Sequence, residues 1–340
     1  MKSQLHVWLP TIRSGSGSDV FVSRLSAALT ARQIKTTITW FNHATEFMPG
    51  VKSLASLPSG VNITHSNSTG AFAFKRKDIP LVVTEHHYVL DPAYRPYKSV
   101  AQEIYHTAWQ RFHFRRSYSA ASAVTAVSQF TADVLRREAN VKVDRVIPQW
   151  LDYKIFSPGS NMAVDSNKRF QLLFVGNATR RKGADVIYPL ARMLGPKFQI
   201  MCTGGLRSRN VISTSSNVIP LGRLSESELV NQYRNCDAVL VPSRYEGFGY
   251  AALEGMACAK PIVGFRCGAI AEVVDEGKTA LLCDVDDIDG LRRHCEFLRM
   301  NADVARLMGS AGRIRASTIF SEQFAIDAYI DLYNTLTASC

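Results

Sequence analysis

The sequence predicts an α/β protein of two successive domains, each a parallel sheet covered by helices. Three observations predict it. Short, near-continuous apolar runs alternate with amphipathic helical stretches, the pattern of strands buried on both faces. The alternation restarts after Ser157-Pro158-Gly159-Ser160-Asn161, which reads as a linker. A chain of 340 residues is also long enough for two full cores. The expected division is 1–156, 166–320 and a closing helix over 321–340 that can pack back on the first domain.

In the first domain Leu5–Leu9 reads as a strand, and the glycine-rich Ser14–Asp19 leads into a helix over Val20–Arg32. Phe21, Leu25, Ala28 and Leu29 recur there at helical spacing. Lys35–Phe41 is rich in β-branched residues and reads as the next strand. Leu81-Val82-Val83-Thr84 is a buried strand running into Glu85-His86-His87, and Ala123–Val127 is another. Ser128 is placed to cap a helix over Gln129–Glu138. The second domain opens on Leu172-Leu173-Phe174-Val175-Gly176 and continues with strands at Phe198–Cys202, Asn217–Ile219, Ala238–Val241 and Pro261–Gly264. Helices are expected at Ser225–Asn235, Asp287–Asn301 and Ser321–Thr337. Two Rossmann-like domains facing across a cleft follow, with ligands expected at the carboxyl ends of the strands.

The segment Arg244 through Ala257 carries the most chemistry. It sets Glu246 and Glu254 eight positions apart across a glycine-rich loop that enters a helix. Gly247, Phe248, Gly249 and Tyr250 fall where that helix begins, so their amides lack intrahelical partners and favour an anion. A diphosphate at the helix start and polyols on the two carboxylates describe a nucleotide sugar. After the first strand of the same domain, Gly176-Asn177-Ala178-Thr179-Arg180-Arg181-Lys182-Gly183 supplies three successive cations. Lys and Arg can offset the charge of a departing diphosphate without a metal. His86, at a strand end of the first domain, is a candidate for the reacting centre. Gly15 and Gly17 let backbone amides approach a phosphate or sugar. They do not make a dinucleotide fingerprint, because Val20 stands where the third glycine belongs.

Composition narrows the partners. Hydrophobic residues at 46% and charged residues at 20% suit a soluble globular chain, and no run of about 18 apolar residues is present to span a membrane. The start reads as a first strand and not as a signal peptide. The seven cysteines have no C-x-x-C spacing and an odd count, which fits reduced thiols in a cytoplasmic protein and no zinc site. The net charge of +11 is lopsided: up to Ile155 there are 19 Lys/Arg against 10 Asp/Glu, and beyond it 21 against 19. Tyr94 to Tyr118 interleaves aromatic and basic residues, with Lys75-Arg76-Lys77 adding charge. That combination suits an anionic lipid surface. No zinc-finger or RNP-like motif supports nucleic acid.

Taken together, the second domain resembles the retaining family-4 glycosyltransferases of the GT-B fold. The resemblance rests on Leu172–Gly183, Met201–Gly205, Val218–Gly222, Ser243–Ala257 with its E-x7-E pattern, Lys260–Val263 and Gly268–Val274. Val127–Phe130 and Ile147–Asp152 match more loosely in the first domain. The resemblance implies that Lys182 contacts the donor diphosphate, Glu254 binds the ribose hydroxyls and Glu246 faces the donor sugar. Phe248 and Gly249 amides would lie nearby, His86 near the reacting centre, and Gly15 and Gly17 where a first glycine loop approaches the donor. Asn177 stands where the family carries an arginine, a charge that Arg180 or Arg181 can replace. The implied activity is transfer of a hexose from a UDP- or GDP-linked donor to a bacterial envelope glycan, lipid-linked or lipopolysaccharide, at the inner face of the plasma membrane, with no cofactor and no metal. A sugar-nucleotide-binding protein without turnover and a sugar-nucleotide epimerase of similar architecture are the alternatives.

Overall fold

The computed structural model describes residues 4–13, 17–159, 169–204 and 216–338. They form two compact units. Unit 1 comprises 1–149 and 322–340, and unit 2 comprises 150–321. Each holds a six-stranded sheet in which every pair of strands is parallel. The α/β class and the two doubly wound layers are those the sequence predicts.

In unit 1, β1 (His6–Ile12), α1 (Gly17–Ala31), β2 (Lys35–Phe41), α2 (Pro49–Ser53), β3 (Ile63–Asn67) and β4 (Leu81–Glu85) come first. They are followed by α3 (Val100–Tyr105), α4 (Arg111–Ala120), β5 (Ala123–Ala126), α5 (Gln129–Ala139) and β6 (Arg145–Val146). The strand order is β2-β1-β3-β4-β5-β6, so the direction of winding reverses between β1 and β3. Strand β1 runs past Pro10, beyond the Leu9 end expected from the sequence. Its pairing to β3 ends at Trp8, and the Pro10 carbonyl instead accepts from the Ser66 hydroxyl at 2.8 Å. The Ser128 side chain accepts from the Thr131 amide and caps α5.

Strand β3 was not predicted, because Ile63-Thr64-His65-Ser66-Asn67 reads as polar. The side chains of His65, Ser66 and Asn67 are nonetheless paired inside the unit. His65 is fully buried, with Nδ1 against Tyr333 Oη at 2.6 Å and Nε2 against Thr84 Oγ1 at 2.7 Å. Burial pushes its imidazole down to about 3, so it is neutral at ordinary pH. Tyr333 lies on the last helix, α12 (Glu322–Ala338), which returns to unit 1 and buries Ala325, Ile326, Tyr329, Leu332 and Tyr333. Arg32–Asp327 and Arg145–Asp331 bridge its outer edge at 2.6 and 2.5 Å.

In unit 2, β7 (Phe170–Phe174), α6 (Ile187–Leu194), β8 (Phe198–Thr203), β9 (Val218–Gly222), α7 (Glu226–Asn235) and β10 (Ala238–Val241) lead. Then come α8 (Tyr250–Ala257), β11 (Ile262–Phe265), α9 (Ile270–Val273), β12 (Ala280–Cys283), α10 (Ile288–Met300) and α11 (Ala302–Ile319). The order β12-β11-β10-β7-β8-β9 places the reversal between β7 and β10. Leu172, Phe174, Ile200, Leu240, Val263 and Phe265 pack there against α6 and α10 residues such as Leu190 and Leu291.

The boundary expected at 156 lies instead at Gln149/Trp150. The segment after it is tied to unit 2 by side chains. The Phe156 ring meets Tyr233 edge-on at 6.3 Å, Arg313 donates to the Phe156 carbonyl at 2.7 Å, and Tyr153 Oη donates to the Ala316 carbonyl at 2.6 Å.

Tyr333→Phe keeps the ring of α12 in place and leaves a nitrogen of buried His65 unpaired. Urea unfolding is expected to show a loss of about 1–2 kcal/mol, larger than for an exposed Tyr→Phe change.

Candidate active site

The reversal point of unit 2 is built by two loops, one after β7 and one after β10. After β7, the Thr179 side chain accepts from the Lys182 amide and closes a single 3₁₀ turn over Arg180–Lys182. Gly183 follows with φ +75°, and a side chain there would run into the Pro242 carbonyl of the second loop. Glycine therefore lets the two loops touch. Arg244 then fastens them: its amide donates to the Arg181 carbonyl at 2.8 Å, and its guanidinium reaches the Arg180 carbonyl at 2.5 Å. The guanidinium also bonds Asp185 at 2.7 and 3.0 Å and Asp286 at 2.6 Å. Five donors on a rigid plane suit that task as a lysine would not.

Fastened this way, the loops deliver Arg181 and Lys182 to Glu246. Lys182 Nζ pairs with Glu246 Oε1, Arg181 Nη1 lies 3.5 Å from Oε2, and Ser243 Oγ donates to Oε1 at 3.0 Å. Glu246 is buried, which by itself disfavours its charge; the two cations overcome that and hold its carboxyl down at about 2. Arg181 also donates to the Tyr245 carbonyl at 2.9 Å. Asn177 lies half-buried in the same loop, its carbonyl accepting from the Thr179 amide at 2.7 Å.

Downstream, Gly247 and Phe248 are buried, and Gly249 takes φ +109° as the N-cap of α8. A side chain on Gly249 would strike Ile270 of α9. Tyr250 opens α8, and its ring meets Phe248 edge-on at 5.6 Å. Glu254, one turn along, accepts from the hydroxyl of fully buried Tyr233 at 2.7 Å. The two glutamates of the E-x7-E segment thus have different partners: one is gripped by cations, the other is aimed by a phenol. An arrangement of two cations, a helix start and an oriented carboxylate at a reversal point can bind a diphosphate and a diol together.

His86 and Gly17 belong to unit 1. His86 follows β4, with Gln149 Nε2 against Nδ1 at 3.1 Å and Asn67 Oδ1 against Nε2 at 2.9 Å. Asn67 Nδ2 donates to Thr11 Oγ1 at 3.2 Å, so the amide presents its oxygen to His86. The ring is therefore neutral with its proton on Nε2, and burial pushes it down to about 4. Both nitrogens are engaged by protein partners, and the ring edge meets Phe21 at 4.8 Å. Beside it, Glu85 accepts from Tyr118 Oη at 2.5 Å and from the His87 amide at 2.9 Å, which fixes the turn carrying His86. Gly17 is the first residue of α1; Gly15 lies outside the described residues.

Sequence reasoning missed Tyr233, Ser243, Asn67 and the strapping role of Arg244. Ser243 and Arg244 lie within the glycine-rich segment and were open to suspicion; nothing in the sequence around Tyr233 or Asn67 marks them. Among the described residues no group of three or more His, Cys, Asp or Glu is placed to hold a metal ion, and no helix is long and apolar enough to cross a membrane.

The aromatic reading of Tyr94–Tyr118 needs correction. Phe114 is buried, and Tyr94, Tyr105, Trp109 and Tyr118 are partly buried and packed against other rings. The exposed large apolar side chains of that stretch are Val100, Ile104 and Phe112.

Two family models match the chain: Glycosyl transferases group 1 over residues 163–315, and Glycosyltransferase Family 4 over 47–153. An uncharacterized glycosyltransferase of Methanocaldococcus jannaschii is 32% identical over 42% of this chain and 41% of its own length. The match thus spans less than half of that relative. Alpha-maltose-1-phosphate synthase of Mycolicibacterium smegmatis is 26% identical over 89% of this chain and 86% of its own. Among solved structures, sucrose-phosphate synthase of Thermosynechococcus elongatus superposes with a TM-score of 0.82 at 18% identity, covering 98% of this chain and 100% of that one. Anabaena HepE in complex with UDP and glucose gives a TM-score of 0.73 at 16% identity, covering 97% and 99%. At those identities the superpositions establish the fold.

Lys182→Met leaves Glu246 buried with Arg181 as its one cation. The cost is expected to be about 2 kcal/mol, less than the 3–5 of a fully buried pair because Lys182 is partly exposed. A carboxyl held low contributes stability above its unfolded value and loses it as the pH falls through its folded value. The variant's stability should therefore turn down at a higher pH than the parent's. Adding Glu246→Gln should recover most of the loss; urea titrations between pH 3 and 7 on the double-mutant cycle check both points.

Proposed function

This chain belongs to the family-4 glycosyltransferases of the GT-B fold, and on that premise we propose that it moves a hexose from a UDP- or GDP-linked donor, with retention, to a hydroxyl of a bacterial envelope glycan. The observation that carries the proposal is the convergence of Lys182 and Arg181 on buried, ionised Glu246 at the reversal point of unit 2.

In this reading the donor diphosphate takes over the two cations and the amides at the start of α8. Glu254, aimed by Tyr233, accepts from the ribose hydroxyls, and Glu246 turns to the hydroxyls of the donor sugar. The bond between the anomeric carbon and the phosphate oxygen breaks with its electron pair going to the diphosphate. The acceptor oxygen bonds to the same carbon from the face the diphosphate leaves. The acceptor's proton passes to the departing phosphate oxygen, so no separate carboxylate base is needed. Arg181 supplies the second positive charge that Asn177 cannot. A donor of this class is also supported by HepE, whose solved complex holds UDP and glucose. His86 of unit 1 is neutral and fixed in its tautomer, so the reading assigns it no role as a base. The reading needs no metal: the cations already present can balance the leaving group's charge.

The acceptor is lipid-linked or lipopolysaccharide, and the protein works in the cytoplasm, peripheral to the inner face of the plasma membrane. The excess of 19 Lys/Arg over 10 Asp/Glu up to Ile155 supports that setting.

Donor turnover, followed as nucleotide release with a panel of UDP- and GDP-sugars, tests the proposal. Lys182→Ala is expected to lower kcat about 10²–10³-fold, the scale of losing one charge stabiliser. Glu254→Ala is expected to weaken UDP or GDP binding about tenfold by titration calorimetry. Undiminished turnover in both variants would remove the assignment; tight nucleotide binding without transfer to any acceptor would favour a binding protein that lacks turnover.

A further inference from the structure

Unit 1 carries an exposed stripe that its own fold does not cover. Helices α3 and α4 are joined by a π-helical turn over His106–Gln110. In an α-helix each four-residue step drifts by about 40°, and a turn that absorbs an extra residue takes that drift back. The π turn thus brings Ile104, Ala108, Phe112 and Arg116 into line along one side. Val100 is 79% exposed, Ile104 63% and Phe112 45%, an unusual apolar outlay for one helical edge. Arg111, Arg115 and Arg116 are exposed along the same stretch, and the acidic residue between 99 and 119, Glu103, is partly exposed and paired with Lys98 and Arg95.

The arginines are arranged, not merely numerous. Arg116 lies over the rings of Phe112 and Phe72 at 5.5 and 5.3 Å, which holds its guanidinium at the level of the apolar groups. Beside it is a shallow groove of about 460 Å³ lined by Phe72, Lys75, Arg115, Arg116, Ser119 and Ala120. Three cations and a hydroxyl around a cavity of that size match an anionic headgroup, and the apolar side chains next to it match the acyl boundary.

We propose that this edge is a docking surface for anionic phospholipid: Val100, Ile104 and Phe112 enter the interface while Lys75, Arg115 and Arg116 take a headgroup phosphate. The inference rests on the proposed function for its biological setting, and its test does not.

Sedimentation of the full chain with vesicles tests it, using phosphatidylcholine alone and phosphatidylcholine with about 30 mol% phosphatidylglycerol. The chain is expected to partition onto the anionic vesicles alone and to release as salt rises from about 50 to 300 mM. At about fivefold per surface cation, Arg111→Ala/Arg115→Ala/Arg116→Ala should weaken partitioning about 100-fold. Ile104→Gln, which keeps the charge, should weaken it several-fold. Circular dichroism and the melting temperature confirm that the variants fold. Equal partitioning onto both vesicle types, no partitioning, or an unaffected triple variant would overturn the assignment. So would tighter binding to sheared duplex DNA than to the anionic vesicles at the same salt. Nucleotide binding measured on the same preparation keeps the two claims apart: if it fails while vesicle binding holds, the donor reading falls and the docking surface stands.

Discussion

A carboxylate that is buried and yet ionised is the constraint on which unit 2 is organised. Glu246 sits where solvent cannot stabilise its charge, so the protein must supply the cations, and it must hold them there. That requirement reaches outward. Lys182 and Arg181 can arrive only if the loop after β7 lies against the loop after β10, and the two can touch only with a glycine at 183. Arg244, in the loop after β10, then spends its guanidinium on the Arg180 carbonyl and Asp185 after β7 and on Asp286 after β12. The site is assembled from backbone contacts first, with the charged groups fitted to them.

The donor proposed above would enter a site whose charges are already partly balanced. Under the proposed function, Glu246 balances one of the two positive charges of Lys182 and Arg181 when no donor is bound. A diphosphate carries more negative charge than one carboxylate, and it can also use the amides at the start of α8. Exchange of one anion for the other keeps the cations paired throughout. Glu246 then exchanges its cations for the neutral hydroxyls of the sugar, and the donor's own contacts must offset that loss.

Unit 1 solves a different problem, and part of its solution was hidden from the sequence. Apolar strands such as Leu81–Thr84 and Ala123–Val127 announce themselves, because a short apolar run between turns suits a strand covered on both faces and little else. Strand β3 does not, since His65 and Ser66 are polar and their partners, Tyr333 and Pro10, lie far away in the chain. A pattern within a short window cannot reveal pairing over that distance. The same limit applies to the site. Glu246, Lys182 and Glu254 stood out because glycine-rich loops and charge runs are local signals. Tyr233 sits in an ordinary amphipathic helix, and only the fold brings its hydroxyl to Glu254. The aromatic run after Tyr94 was visible in the sequence, but which rings turn inward depends on a π turn that no spacing rule specifies.

His86 shows how such distant partners decide chemistry as well as packing. A strand-end histidine in isolation has an ordinary pKa and two usable nitrogens. Here Gln149 and Asn67 occupy both, burial keeps the ring uncharged, and Thr11 fixes which way Asn67 faces. The four residues come from β1, β3, and the segments after β4 and β6, so the tautomer is a property of the sheet's closure. A neutral imidazole held this firmly contributes a constant dipole and shape to whatever lies beside it. With the ring uncharged and both nitrogens taken up, His86 has no position left from which to act as a base.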